Sequence, residues 1–128
     1  MRIIFLTVVV DQAAKFAALK FLDTTCNQGI AFGIGFGDFS LVIPAAVVVL
    51  VSYLFVKEKR VRNKYALALI LGGGISNLVD RIARGCVVDF IPWPLFSQLP
   101  AFNLADAAIS VGVGLLVVSY VKNSRNNF

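Results

Sequence analysis

Two apolar segments of the sequence carry polar side chains at the spacing of one helix face. Burying an ionisable group in lipid costs several kcal/mol unless it pairs or lines a wet cavity. One stripe comprises Gly73, Asn77, Asp80, Arg81 and Arg84, and the other comprises Asn103, Asp106 and Ser110. A further carboxylate, Asp89, follows just beyond the first segment. Several aspartates near one membrane depth are more than the stability of a helix bundle requires.

Such carboxylates could act as an aspartyl hydrolase. Two carboxylates a few ångströms apart cannot both ionise, so they share one proton. The ionised group takes a proton from water while the neutral group donates to the substrate carbonyl. The same residues would also serve as the proton relay of a small transport or assembly subunit. Spacing alone leaves both interpretations open.

The composition sets the environment of this chemistry. The 128 residues suffice for one modest domain. Apolar residues make up 59% of the chain and charged residues 15%, whereas soluble domains carry about 25% charged residues. The composition therefore predicts a membrane protein. Histidine is absent, and Cys26 and Cys86 lack the spacing of a zinc site, so we expect neither a metal ion nor a cofactor.

The net charge of +5 comes largely from one short loop. Five of the twelve basic residues are Lys57, Lys59, Arg60, Arg62 and Lys64. A cluster of this kind between apolar segments is typical of a cytoplasmic loop under the positive-inside rule. A nucleic-acid surface would interleave basic and aromatic residues on a folded face, so we expect no nucleic-acid partner.

Four apolar spans predict an all-α integral membrane protein that forms a single domain over residues 1–128. The predicted helices cover about residues 3–22, 41–56, 65–82 and 102–121. A cytoplasmic loop at 57–64 places both termini inside and the segments 23–40 and 83–101 outside. The first span is expected to stay in the mature protein, because Asp11 and Lys15 interrupt it and no signal-peptide cleavage site follows. These two residues lie one turn apart and can neutralise each other, which favours a structural role.

The segment from Gly29 to Gly37 alternates large apolar residues with glycine or alanine. Strict alternation indicates a strand, and its bare face would let another backbone approach. A flexible glycine loop is the alternative. The tetrapeptide Gly35-Phe36-Gly37-Asp38 also fits the G-x-G-D motif of another class of intramembrane aspartyl protease. That class needs a second aspartate after tyrosine, and the sequence contains no Tyr-Asp pair.

Four motifs in order along the chain resemble those of lipoprotein signal peptidases (signal peptidase II). Asp11-Gln12-Ala13-Ala14-Lys15 resembles D-Q-x-x-K, and Asn27-Gln28-Gly29-Ile30-Ala31-Phe32 resembles N-x-G-x-A-F. The segment from Gly72 to Phe90 resembles G-G-x-x-G-N-x-x-D-R…G-x-V-V-D-F. Phe102-Asn103-Leu104-Ala105-Asp106, followed by Ile109 and Gly112, resembles F-N-x-A-D-x-x-I-x-x-G.

The resemblance implies four transmembrane helices with a small extended or β cradle on the outer face of the bacterial inner membrane. It implies an aspartic endopeptidase that removes signal peptides from diacylglyceryl-modified prolipoproteins just before the lipidated cysteine. A catalytically silent binder of such signal sequences remains an alternative. We expect a monomer in contact with membrane lipid.

The resemblance also implies roles for individual residues. The catalytic pair would be Asp89 and Asp106. Asp80 would be structural, bracing Arg81 or the adjoining loop. The substrate-binding residues would be Asn27 and Gly29, which hold the substrate backbone, and Asn77, Arg81 and Asn103, which shape the polar site.

The chain departs from the family pattern in two places. Ser76 stands where the family has glycine before the asparagine. It would crowd a helix contact or the substrate lipid, or add an interhelical hydrogen bond. Only sixteen positions separate Asp11 from Asn27, which suggests a trimmed cradle. Cys26 and Cys86 both fall in outer segments, where an oxidising compartment permits a disulfide, but unpaired thiols are the default expectation.

Overall fold

A computed structural model describes residues 1–29 and 39–125, with Phe39 as backbone only. These two ranges form four α-helices and two short strands. The elements in chain order are α1 (Arg2–Phe21), β1 (Thr25–Asn27), α2 (Phe39–Lys57), α3 (Val61–Arg84), β2 (Val87–Asp89) and α4 (Leu104–Arg125). The helices run past several of the predicted apolar spans, because a helical backbone continues into the polar residues that flank an apolar core.

The long helix α3 is the centre of the bundle and packs against α1, α2 and α4. Small residues let the helix axes approach closely, as is common between membrane helices. At Gly73, a Cβ atom would lie 2.5 Å from the carbonyl oxygen of Ala105. Glycine at this position therefore allows α3 to contact the first turn of α4.

Within the described ranges, three helices are long and apolar enough to cross a membrane: Ser40–Lys57, Val61–Arg84 and Leu104–Arg125. The mostly helical, membrane-type architecture expected from the sequence is thus confirmed. Helix α1 falls short of such a composition, since every 18-residue stretch of it contains Asp11, Lys15 and either Arg2 or Lys20.

A small antiparallel sheet lies at one end of the bundle, as predicted in outline. Strand β1 pairs with β2 so that Thr25 is opposite Asp89 and Asn27 is opposite Val87. Most of the alternating segment that we had expected to form the cradle, from Ile30 to Gly37, lies outside the described residues. The G-x-G-D tetrapeptide ending at Asp38 lies outside them as well.

The two cysteines form a disulfide between Cys26 and Cys86, so the default expectation of unpaired thiols was wrong. Cys26 is the middle residue of β1, and Cys86 precedes β2 directly. Gly85 ends α3 with a φ of 74°, a left-handed conformation that glycine adopts without steric cost. This turn sends the chain straight from α3 into β2.

A backbone clasp returns the chain from β2 to the start of α4. The N–H of Ile91 donates to the carbonyl of Phe102 (2.9 Å), and the N–H of Phe102 donates to the carbonyl of Ile91 (2.9 Å). The rings of Trp93 and Phe102 pack with centroids 4.9 Å apart. The clasp brings Asp89 next to the first turn of α4.

Candidate active site

The first turn of α4 is capped by a reciprocal pair of hydrogen bonds. Asn103 is the residue before the helix, and its side-chain Oδ1 accepts from the backbone N–H of Asp106 (2.9 Å). The Oδ2 atom of Asp106 accepts from the backbone N–H of Asn103 (3.1 Å). This is the arrangement of a capping box, which satisfies two otherwise unpaired helix donors. It fixes the Asp106 carboxylate relative to the helix backbone.

Asp89, the last residue of β2, is only 2% exposed. Its two carboxylate oxygens accept from different amides. The Nδ2 of Asn103 donates to Oδ1 (2.8 Å), and the Nδ2 of Asn27 donates to Oδ2 (3.1 Å). Asn27 reaches Asp89 from the paired strand, so the antiparallel sheet places this donor.

Asn103 therefore links the two carboxylates. Its side-chain Nδ2 contacts Asp89, while its backbone N–H and Oδ1 contact Asp106. The same Nδ2 lies 3.2 Å from the carbonyl oxygen of Val88. The residue is fully buried, which makes these contacts stronger than they would be in water. Asp89 and Asp106 thus belong to one polar framework.

Asn77 of α3 completes this framework from the other side. Its Nδ2 donates to Oδ1 of Asp106 (2.9 Å). Its Oδ1 accepts from Nζ of Lys15 (2.9 Å) and from Nδ2 of Asn103 (3.1 Å). A lysine ammonium can only donate, so Lys15 requires the Asn77 oxygen to face it. The Asn77 amide nitrogen is consequently aimed at Asp106.

Lys15 sits in a buried ionic cluster with Asp11 and Asp80. Its Nζ lies 2.7 Å from Oδ2 of Asp11 and 2.8 Å from Oδ2 of Asp80. All three side chains are essentially unexposed. Asp11 also accepts from the backbone N–H of Ala105 (2.8 Å). This N–H lies in the first turn of α4, where backbone donors have no acceptor within the helix. The predicted Asp11–Lys15 pair exists and extends to the helix that carries Asp106.

Asp80 joins the end of α3 to β2. Its Oδ2 accepts from the backbone N–H of Val88 (3.1 Å), next to Asp89 in sequence. Arg84 and Gln12 donate to its Oδ1. These contacts connect Asp80 to the segment that follows α3, and its structural role remains a prediction. Arg81 turns elsewhere and donates to the carbonyl of Gly29 (2.7 Å).

A cavity of about 290 Å³ opens beside the two carboxylates. Its walls differ in chemistry, with polar groups from β1, β2, α3 and α4 and apolar side chains from α2 and α4. The polar lining is Asn27, Asn77, Arg81, Asp89 and Asp106, and the apolar lining includes Ile43, Pro44, Val47, Val48 and Ile109. The cavity can therefore hold a ligand with a polar portion and an apolar portion.

Burial raises the pKa of Asp89 from 3.8 to about 6. Desolvation is the main cause, because it disfavours the charged form. The negative charge of Asp106 adds to the rise, while the hydrogen bonds from Asn27 and Asn103 and the charge of Lys15 oppose it. A carboxyl with this pKa can hold or release a proton near neutral pH, as acid–base catalysis requires.

Most of the predicted site residues meet at this cavity. Asn103 does not line the cavity but contacts both carboxylates. Gly29 is linked to the cavity by the hydrogen bond that Arg81 donates to its carbonyl oxygen. Ser110, the third residue of the α4 stripe, is not among the residues that line the cavity. Ser76 is buried, donates to Asp11 (2.6 Å) and accepts from Gln12 (2.9 Å). Ser76 stands where the family has glycine, and of the effects expected from this difference the structure contains the interhelical hydrogen bond.

Two features of the site were not predicted from the sequence, the contacts of Gln12 and the helix cap formed by Asn103 and Asp106. Gln12 donates to both Ser76 and Asp80, and its polarity within an apolar helix was the available signal. The spacing of Asn103 and Asp106 is that of an N-cap and the third helical residue, which is a capping-box signature. Within residues 1–29 and 39–125, no group of three acidic or cysteine residues is placed to hold a metal ion.

The fold and site together define a class of protein: a mostly helical, membrane-type bundle with two amide-framed carboxylates beside a half-apolar cavity. A sequence model of the signal peptidase (SPase) II family matches residues 3–122. The chain therefore belongs to the signal peptidase II family, whose members cleave signal peptides from prolipoproteins.

Individual relatives agree with this assignment. The chain is 43% identical over 113 residues to a lipoprotein signal peptidase of Halalkalibacterium halodurans, covering 84% of this chain and 72% of that one. It is 35% identical to a lipoprotein signal peptidase of Thermodesulfovibrio yellowstonii, covering 93% and 92%. A solved bacterial membrane enzyme, determined in meso at 2.3 Å, superposes with a TM-score of 0.87 at 26% identity, covering 98% and 89%.

These similarities confirm the family resemblance of the four motifs. They also decide between the functions left open by the sequence. The protein is a prolipoprotein-processing peptidase of the bacterial inner membrane, and the proton-relay or transport interpretation is not supported.

Proposed function

We propose that the protein is an aspartic endopeptidase in which Asp89 and Asp106 are the catalytic pair. Its substrates would be diacylglyceryl-modified prolipoproteins, cut just before the lipidated cysteine. The observation that carries this proposal is the framework around Asn103, which contacts both carboxylates through separate atoms. Both carboxylates also line the same cavity.

The proposed reaction needs one proton shared by the pair. The ionised carboxylate removes a proton from water, and the water oxygen attacks the scissile carbonyl carbon. The neutral carboxyl donates its proton to the carbonyl oxygen, which gives a tetrahedral diol. When the diol collapses, the C–N bond breaks and the leaving amine takes a proton from the protonated carboxyl, while one diol hydroxyl gives its proton to the other carboxylate. The signal peptide leaves as a carboxylic acid, and the pair again holds one proton.

Substrate binding is assigned to the residues around the carboxylates. Asn27 and Gly29 would hold the substrate backbone beside β1, with Arg81 fixing the Gly29 carbonyl. Asn77, Arg81 and Asn103 would shape the polar wall. The apolar wall formed by α2 suits a substrate whose lipid stays in the bilayer.

The proposed topology has four transmembrane helices, including α1. The charges of Asp11 and Lys15 are neutralised inside the bundle, while the outer face of α1 exposes Phe5, Val9 and Phe16. The basic loop between α2 and α3 would lie in the cytoplasm with both termini. The carboxylates then lie near the outer face. The enzyme would act as a monomer in contact with membrane lipid.

A cleavage assay with a matched pair of precursors tests the proposal. Purified protein in detergent is mixed with a diacylglyceryl-modified prolipoprotein and, separately, with the same precursor lacking lipid. We expect loss of the signal peptide from the lipidated form only, and no cleavage by Asp106→Asn. Equal cleavage of both precursors would overturn the substrate class. Cleavage by a folded Asp106→Asn variant would overturn the catalytic pair.

A further inference from the structure

A second polar cavity lies at the opposite end of the bundle from the carboxylates. It occupies about 260 Å³ between the start of α3 and the end of α4, and we refer to it as the basic hollow. Its lining residues are Arg60, Arg62, Asn63, Ser119, Lys122 and Asn123. From Arg62 to Asp80, α3 rises about 27 Å, so the hollow is separate from the proposed active site.

Hydrogen bonds organise the inner wall of the basic hollow. Ser119 is only 5% exposed, and its hydroxyl donates to Oδ1 of Asn63 (2.6 Å). The guanidinium of Arg62 donates to the same hydroxyl (3.0 Å). These contacts join α3 to α4 and hold one cation at the cavity wall. The arrangement is therefore more ordered than a set of solvated surface lysines.

One acidic residue, Glu58, lies beside the hollow and offsets part of its positive charge. Glu58 accepts from the backbone N–H groups of Lys59 and Arg60 through Oε1, and from Asn63 through Oε2. Both of its oxygens are thus occupied. In the described part of the chain, Arg60, Arg62 and Lys122 form no salt bridge with a carboxylate. Three cations therefore line the cavity, and among the described residues the neighbouring carboxylate is that of Glu58.

Exposed apolar side chains lie next to the lining residues along the same two helices. Val61, Tyr120 and Val121 are between 48% and 77% exposed and adjoin the lining residues in sequence. An anion that fits here would have a phosphate-like head and an apolar remainder. We propose that the basic hollow binds the phosphodiester headgroup of an anionic phospholipid. Basic pockets between membrane helices at the cytoplasmic surface are suited to such headgroups.

Binding would fasten α3 to α4 at the end remote from catalysis. The headgroup phosphate would accept from Arg62 and Lys122, which belong to different helices. The acyl chains would lie along the exposed apolar face. Free inorganic phosphate shares the headgroup chemistry but would gain nothing from that apolar face.

Lipid titration of the full chain in detergent tests the proposal. Native mass spectrometry would follow binding of phosphatidylglycerol, zwitterionic phosphatidylethanolamine and inorganic phosphate. We expect phosphatidylglycerol to bind most tightly. Each lining cation contributes to the binding of an anionic headgroup. We therefore expect Arg62→Gln and Lys122→Gln each to weaken the affinity for phosphatidylglycerol about fivefold. Lys59→Gln is the matched control, since it removes the same charge from the same loop outside the lining.

Three outcomes would overturn the proposal. Equal affinity for the two lipids would show that charge recognition is absent. An equal loss of phosphatidylglycerol affinity in Lys59→Gln would show that binding depends on the net charge of the loop and not on the hollow. Inorganic phosphate binding as tightly as phosphatidylglycerol would assign the site to a soluble anion. Lys122→Gln keeps the test valid if Arg62→Gln disturbs folding, because Lys122 does not take part in the Ser119 hydrogen bonds.

Discussion

Asn103 and Asp106 hold each other by two reciprocal hydrogen bonds at the start of α4, 2.9 Å and 3.1 Å long. The cap that begins the helix is also the support of the proposed catalytic carboxylate. Asp106 consequently has little freedom to move without opening the first helical turn. The same Asn103 reaches Asp89 (2.8 Å), so one residue positions both carboxylates.

The buried Lys15 should be essential to stability. We expect Lys15→Met to lower the free energy of unfolding by about 3–5 kcal/mol, because it leaves buried carboxylates without their cation. Those carboxylates are Asp11 and Asp80. The measurement is thermal unfolding in detergent. Lys20→Met, at an exposed position on the same helix, is the control, and an equal effect of the two changes would contradict the structural role.

Two glycines should respond to alanine with opposite signs. In Gly73→Ala the new methyl would meet the Ala105 carbonyl at 2.5 Å, so we expect destabilisation of about 1–3 kcal/mol. In Gly114→Ala no described atom lies within 4 Å of the new methyl. Its better helix propensity should stabilise by up to about 1 kcal/mol. Thermal unfolding of both variants checks the prediction, which fails if Gly73→Ala is neutral.

Reduction of the disulfide should weaken both the fold and the cleavage activity. The bond between Cys26 and Cys86 fixes β1, which carries Asn27, against β2, which carries Asp89. We expect its loss to cost about 2–4 kcal/mol and to slow signal-peptide removal. Intact mass with and without reductant establishes the bond, and a cleavage time course measures the effect.

The control for the disulfide is the double variant Cys26→Ser/Cys86→Ser. It should be slow with or without reductant, because it has no bond to break. If reductant slows the double variant as much as the unmodified protein, the effect does not arise from this disulfide.

The raised pKa of Asp89 predicts a pH-dependent stability. The pKa of Asp89 is 3.8 in the unfolded chain and about 6 in the folded protein. Between pH 3.8 and about pH 6 the folded state therefore keeps a proton on Asp89 that the unfolded state has released. The contribution of Asp89 to the free energy of unfolding should therefore fall as pH rises through this window, by about 3 kcal/mol. Thermal unfolding from pH 4 to 7 measures it. Asp89→Asn should remove this part of the dependence, and an unchanged profile in that variant would contradict the prediction.

Much of the fold could be predicted from the sequence because lipid imposes simple rules. Long apolar segments must be helical, and the pattern around Asp11 and Lys15 indicated an internal ion pair. The disulfide could not be derived, since it depends on the register that brings Cys26 opposite Val88. That register arises from long-range pairing across some sixty residues.

The sequence predicts which residues form the candidate site better than it predicts the hydrogen bonds between them. Polar residues at helical spacing indicated the two stripes that carry Asn77 and Asp106, and the family resemblance placed both residues at one site. The sequence did not reveal that Lys15 orients the Asn77 amide, nor that Gln12 reaches Asp80. Such contacts depend on how the helices rotate and cross. Ser110 has the spacing of the stripe, but it is not among the residues that line the cavity.

The assignment of Asp89 and Asp106 as the catalytic pair is tested most directly by single-turnover cleavage of a lipidated prolipoprotein. Asp89→Asn, Asp106→Asn and Asp80→Asn would be compared, each with its unfolding midpoint. We predict that the first two remain folded and do not cleave, while Asp80→Asn unfolds at lower temperature but completes a first turnover. Near-normal cleavage by Asp89→Asn, together with a well-folded but inactive Asp80→Asn, would contradict the assignment.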